Sequence, residues 1–159
     1  MTNDVVITLR RILVPIDFSP HSEQALKYAV ALAEKFEAQL FLVHAFQDLT
    51  IYQTEVVSGA PPIMPPVAQL TASARGDMDR LVEEKQLQRF NAQTQIVEGA
   101  PVEEIVDHAK EKDIDLIVMG THGRGWLAHA LMGSVAEKVV RKAPCPVLTV
   151  RLAEHEFVS

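Results

Sequence analysis

Short, β-branched apolar runs separated by stretches of helical period set the rhythm of the chain. Ile12-Leu13-Val14 with Ile16, and Leu116-Ile117-Val118-Met119, are apolar throughout and bounded by charged or turn residues, the pattern of strands buried on both faces. Leu40-Phe41-Leu42-Val43 before His44 and Val147-Leu148-Thr149-Val150 after Pro146 have the same character. Ala92-Gln93-Thr94-Gln95-Ile96-Val97 instead alternates polar with apolar, so it has one wet face. Five strands are predicted, with the third polar enough to lie at an edge.

Helices fall between them. Ala25, Ala29, Leu32 and Phe36, flanked by Leu26, Val30 and Ala33, recur at helical spacing against Lys27, Glu34 and Lys35, which predicts an amphipathic helix. Ser19-Pro20 supplies its start, a serine cap followed by proline at the first helical position. Val67, Leu70, Ala74, Met78 and Leu81 mark a second helix. A third opens at Pro101 with Val102, Ile105, Val106 and Ala109, and a fourth carries Val135, Ala136, Val139 and Val140 before Pro144 ends it.

Strands alternating with helices at this spacing pair in parallel through right-handed crossovers. The expectation is a single doubly wound α/β domain over residues 1–159, core about 10–151, with four helices on both faces of a five-stranded parallel sheet. Placing the two most apolar strands centrally and the polar third at an edge gives the order 3-2-1-4-5. Its switch point lies between the first and fourth strands, where ligands bind at the carboxyl ends of such sheets. Those ends are Pro15-Ile16-Asp17 and Met119-Gly120-Thr121. Phe46 to Pro66 is long, proline-rich and aperiodic, and reads as a flexible flap or a solvated linker.

With 159 residues, 48% of them hydrophobic and 23% charged, one full core is available and two are not. The single Cys145 provides neither a disulfide framework nor a cysteine zinc site, which suits a reducing, cytoplasmic setting. No apolar run approaches the roughly 18 residues of a spanning helix, so no membrane association is expected. A formal net charge of -6 disfavours non-specific nucleic-acid binding, and requires any anionic ligand to be met by a few local groups.

Those groups gather after the fourth strand. Gly120-Thr121-His122-Gly123 is followed by nine residues and then by Gly133-Ser134, which opens the last helix. Glycines permit positive φ and close backbone approach, and a helix start presents N–H groups at its positive end. Together they could cradle a di- or triphosphate without a lysine, with His122 and Arg124 adding local positive charge. The same residues also support a plainer reading: Ser134-Val135-Ala136-Glu137 matches a capping box, and Gly120 and Gly123 match strand-to-loop punctuation. Asp17 either caps the turn before Ser19 or accepts hydrogen bonds from a ribose. His44, behind four apolar residues, reads as a satisfied core histidine.

Taken jointly, Gly120-x2-Gly123-x9-Gly133-Ser134 and Ile12-Leu13-Val14-Pro15-Ile16-Asp17-Phe18-Ser19 resemble the universal stress protein family, ATP-binding type. The resemblance runs from about Arg10 to Arg151 and includes Leu42-Val43-His44, Gly99-Ala100-Pro101-x2-Glu104-Ile105 and Cys145-Pro146-Val147-Leu148-Thr149-Val150. It implies the same 3-2-1-4-5 sheet, a homodimer along the fifth strand, and ATP at the switch point, with AMP or ADP as alternatives and Mg or Mn accompanying the nucleotide. Asp17 would bind the ribose or the phosphate-metal region, Pro15 and Ile16 would flank the base, and Ala45 would face adenine. Met119 and Gly120 would lie under the nucleoside, with Gly123, Arg124, Gly133, Ser134 and Val135 around the phosphates. Ala45 is smaller than the usual valine, and Ala136 stands where some members carry threonine.

The dimer has a motive of its own: Val147 to Val150 would leave an apolar edge strand exposed, and pairing two such edges covers both. Among enzymes, no Gly-Lys-Ser/Thr Walker sequence, Gly-x-Ser-x-Gly elbow or His-Glu-x-x-His helix occurs, and no Gly-x-Gly-x-x-Gly follows the first strand, where a dinucleotide site requires it. The expectation is a nucleotide-dependent stress-response or signalling protein, not an enzyme, with at most slow ATP hydrolysis. A nucleotide-free interaction module is the other alternative.

Overall fold

A computed structural model describes residues 6–47, 66–122, 132–152 and 158 of the chain. Within them the order is β1 (Arg11–Pro15), α1 (Pro20–Phe36), β2 (Gln39–Phe46), α2 (Val67–Glu84), a 3-10 turn (Leu87–Phe90), β3 (Gln93–Glu98), α3 (Pro101–Glu111), β4 (Leu116–Gly120), α4 (Ser134–Lys142) and β5 (Val147–Val150). The strands form one sheet in the order β3-β2-β1-β4-β5, and every neighbouring pair is parallel. The polar third strand occupies an edge, as its alternation predicts. Most of the expected Phe46–Pro66 flap, residues 48–65, lies outside the described residues.

Alternation along the central strands divides the core into two layers. Ile12, Val14, Leu40, Leu42 and Val118 point to one face, where they pack with Ala25, Leu26 and Ala29 of α1 and with Met78 and Leu81 of α2. Leu13, Phe41, Val43, Ile117 and Met119 point to the other, against Val102, Ile105 and Ala109 of α3 and Ala136 and Val139 of α4. Ile12, Leu13, Leu40, Leu42, Ile117 and Val118 are wholly buried, each contributing about 1.5–3 kcal/mol relative to exposure. A strand buried on both faces must be apolar at every position, which is why β1 and β4 carry continuous runs instead of alternation.

Helix starts follow local chemistry in α1 and depart from it in α4. Ser19 is the N-cap of α1, its Oγ accepting from the Ser22 N–H at 3.3 Å, and Pro20 takes the first helical position. The capping box expected at Ser134 does not form. Gly133 is the N-cap, no side chain among the described residues caps the helix, and Ser134 is the first helical residue. Glu137 turns away to pair with Arg141 at 2.8 Å, one turn further on, where opposite charges meet on a helix surface. Val140, expected on the buried stripe, is 45% exposed; Ala136 and Val139 carry the contact instead.

Candidate functional site

β1 stays paired with β2 to its end, through Pro15↔Val43. With β4 it pairs only at Ile12↔Leu116 and Leu13↔Ile117. Beyond Leu13 the two central strands part, with α1 packed on one face of the sheet and α4 on the other. The gap is a cavity of about 310 Å³. Pro15, Ile16, Asp17, Ala45, Met119, Gly120, His122, Gly133, Ser134 and Val135, all singled out from sequence, line it together. Gly123 and Arg124 lie outside the described residues.

Six further residues line it: Ser22, Val43, Pro101, Ile105, Thr121 and Ala136, of which sequence marks Thr121 as part of a strand end at the switch point and Ala136 as a position where relatives carry threonine. Val43 was within reach of sequence, since it stands two residues before Ala45 on the same face of β2. The others come from the starts of α1, α3 and α4 and from the residue after β4. The resulting walls are chemically divided. Val43, Ala45, Ile105 and Met119 present an apolar slot, while Asp17, Ser22, Thr121, His122 and Ser134 supply polar groups.

The β1–α1 turn is tied at nearly every polar group. Ile16 N–H donates to the Val43 carbonyl at 2.8 Å, and the Ile16 carbonyl accepts from His44 Nδ1 at 2.7 Å. A carbonyl has no proton to give, so Nδ1 is the protonated ring nitrogen. Asp17 N–H reaches Ser22 Oγ at 3.4 Å, and Asp17 Oδ1 accepts from both Ser19 N–H at 3.0 Å and Ser19 Oγ at 2.5 Å. Asp17 thus holds the turn and lines the cavity at once, so its two sequence readings coexist. Between them Phe18 adopts φ 60°, a left-handed conformation costing an aromatic residue about 1–2 kcal/mol. His44 itself lies off the cavity, half-buried behind the turn, satisfied as the sequence suggested.

The glycines act through space, not through left-handed backbone. Gly133 is extended, at φ -68° and ψ 151°, and Gly120 shows no positive φ either. A Cβ on Gly133 would stand 2.9 Å from the Thr121 carbonyl oxygen, to which Gly133 N–H donates at 2.5 Å. A Cβ on Gly120 would meet the His21 backbone at 2.9 Å. Of the two roles glycine offers, close approach and positive φ, these two use close approach: the end of β4 touches the first turn of α1, and the start of α4 touches the end of β4. His122 packs its ring on that of His21, centroids 5.3 Å apart, and its Nδ1 lies 3.0 Å from Thr121 Oγ1.

Asp17 is the single carboxylate among the described lining residues. Among the described residues no three His, Cys, Asp or Glu side chains converge as metal ligands. Cys145 lies away from the cavity, and burial pushes its thiol pKa up, which disfavours the nucleophilic thiolate. No helix among the described residues is long and apolar enough to cross a membrane.

An open parallel sheet with a crevice at its switch point, an apolar slot on one side and a helix start on the other defines a doubly wound α/β protein. The universal stress protein family model matches residues 8–151. The chain belongs to that family. It is 32% identical over 147 residues to universal stress protein MJ0531 of Methanocaldococcus jannaschii, covering 92% of this chain and 85% of that one. The solved structure of MJ0577 from the same organism superposes with a TM-score of 0.76 at 31% identity, covering 94% of this chain and all of the other. A universal stress protein solved in complex with cAMP superposes at a TM-score of 0.64 and 27% identity, covering 92% of this chain and 100% of that one.

Proposed function

We propose that the chain binds ATP at the β1/β4 crevice and acts as a nucleotide-dependent stress-response or signalling protein. The observation that carries the reading is the convergence of three elements in one cavity: the apolar slot, Asp17, and the first turn of α4 with no side-chain cap. Adenine fills the slot between Pro15, Ile16, Ala45 and Met119. Asp17 takes the ribose or the phosphate-metal region, Mg or Mn arriving with the nucleotide. The N–H groups of Ser134, Val135 and Ala136 face the phosphates, where the positive end of the helix favours negative charge. A capping serine would compete for those same N–H groups, so its absence from the cap position supports a ligand there.

AMP and ADP are the alternative occupants, and the cAMP complex of a structural neighbour supports an adenine nucleotide as the ligand class. The small Ala45 leaves the base less tightly held than a valine would. Binding, not turnover, is the role: phosphoryl transfer needs a positioned nucleophile and charge stabilisation, and one lining carboxylate supplies little of either beyond slow hydrolysis. The chain works as a single domain, in the cytoplasm, and as a homodimer through β5, whose Val147 and Leu148 are only half-buried on the sheet edge.

Calorimetry with ATP tests the site. Micromolar or tighter binding is expected for the wild type, and its loss when Gly133 and Ser134 are both replaced by bulky residues. Equal affinity in that variant would sink the assignment, and a monomeric mass by light scattering at micromolar concentration would remove the dimer.

A further inference from the structure

The residue that holds the cavity wall in shape does not touch the cavity. Successive β2 side chains alternate across the sheet: Val43 and Ala45 line the crevice, and His44 stands on the opposite face. From there its Nδ1–H donates to the carbonyl of Ile16 at 2.7 Å. Its ring contacts two phenylalanines, tilted at 4.9 Å from Phe18 and stacked at 6.1 Å on Phe46. Phe18 is the residue at φ 60°, between Asp17 and Ser19.

We infer that His44 and Phe18 form a positioning pair that presets the β1–α1 turn for ligand. The physical case rests on what each contact fixes. Turning the chain after Ile16, a buried residue, leaves its carbonyl with no backbone donor among the described residues, and a buried carbonyl without a donor is costly. His44 supplies the donor, and Phe46 and Phe18 fix the plane of its ring. The left-handed Phe18 backbone swings Asp17 Oδ1 onto Ser19 and holds Ile16 and Asp17 against the crevice. A left-handed aromatic residue persists only where its surroundings over-determine it, and here the ring contact with His44 adds to the packing of Phe18 on the core. The pair thus orders the turn before any ligand arrives, removing an ordering cost from binding.

This inference rests on the ATP reading only for its affinity arm; a second arm reads the turn in the nucleotide-free protein. His44→Phe keeps an aromatic ring beside Phe18 and removes the donor. His44→Asn restores a donor, because its amide nitrogen takes the place of Nδ1. By calorimetry the His44→Phe protein is expected to bind ATP about tenfold more weakly, the loss of one buried hydrogen bond, and His44→Asn to recover most of it. By amide hydrogen exchange without nucleotide, the Asp17 and Ser19 amides exchange faster in His44→Phe and return toward wild-type rates in His44→Asn.

Phe18→Gly, which leaves His44 in place but removes the ring and frees the backbone, is expected to shift both readouts in the same direction, and serves if His44→Phe does not fold. Wild-type exchange rates in both His44→Phe and Phe18→Gly would overturn the inference, as would failure of asparagine to rescue, which would make His44 a packing residue only. If the wild type does not bind ATP while the exchange rates respond as described, the positioning pair stands and the nucleotide reading falls.

Discussion

Replacing Gly120 by alanine would place a methyl carbon 2.9 Å from both the carbonyl carbon and the carbonyl oxygen of His21, well inside the roughly 3.5–4.0 Å at which carbon contacts become attractive. Neither side can give cheaply. Gly120 is held in β4 by its register with Val150, and His21 sits in the first turn of α1 under the Ser19 cap. The clash is backbone against backbone, so no rotamer change relieves it. Overpacking of this kind costs about 1–3 kcal/mol. The alanine chain also loses less conformational entropy on folding, which returns about 0.4–1 kcal/mol. A net destabilisation of about 1–2 kcal/mol follows. For a chain of this size each kcal/mol is worth about 2–4 °C, so the thermal midpoint is expected to drop by about 3–6 °C. Scanning calorimetry gives the midpoint, and urea unfolding with an unchanged slope confirms that the shift is one of stability and not of denatured-state compactness. A Gly120→Ala midpoint within about 1 °C of wild type would refute the claim that β4 and α1 are in backbone contact there.

Two further outcomes are expected from residues away from the cavity. Gly76 lies exposed in the middle of α2, and a Cβ there would meet nothing within 4 Å. Gly76→Ala should therefore stabilise the protein by about 0.5–1 kcal/mol, a change opposite in sign to Gly120→Ala and readable as a higher urea midpoint. His108, 7% exposed on α3 against Phe41, has its pKa lowered from the ordinary 6.5 by burial and then by Lys112, with Glu111 opposing. Below pH 6.5 the unfolded chain then binds a proton that the folded one refuses. Stability contributed by the neutral ring is present above that pH and is lost as pH falls toward the lowered native value. Urea midpoints measured from pH 7 to 5 should fall less steeply in His108→Leu than in wild type; coincident slopes would remove this assignment. Glu103 is distinguishable because its pKa is lowered from 4.5, by its backbone hydrogen bond first and Lys142 next, so its contribution is lost only at more acidic pH.

Hydrophobic period was enough to find all five strands and four helices, because period reports which way a side chain faces and needs no knowledge of its neighbours. It was also enough for the strand order. A strand with a polar face, β3, must sit at an edge, and strands apolar at every position, β1 and β4, must be covered twice. With that order, Asp17 and Gly120 fall at adjacent carboxyl ends, so their meeting was legible as well.

Distances between segments were not. That β1 and β4 stop pairing after Leu13↔Ile117 depends on where two helices leave the sheet, and the cavity exists only because they part. Ser22, Pro101, Ile105 and Thr121 line it for the same reason, each an unremarkable residue until packing brings it to the rim. Ser134 shows the limit most directly. Its local sequence matches a capping box, yet Gly133 takes the cap position, where an added Cβ would stand 2.9 Å from the Thr121 carbonyl oxygen and a residue without a side chain fits. Sequence pattern was enough for most of the buried positions, Val140 being an exception, for the elements they build and for the ends that converge. Packing decided which segments Gly120 and Gly133 approach, that Gly133 takes the cap of α4, and that His44 donates to the Ile16 carbonyl, since each is a contact between chain segments that no local pattern encodes.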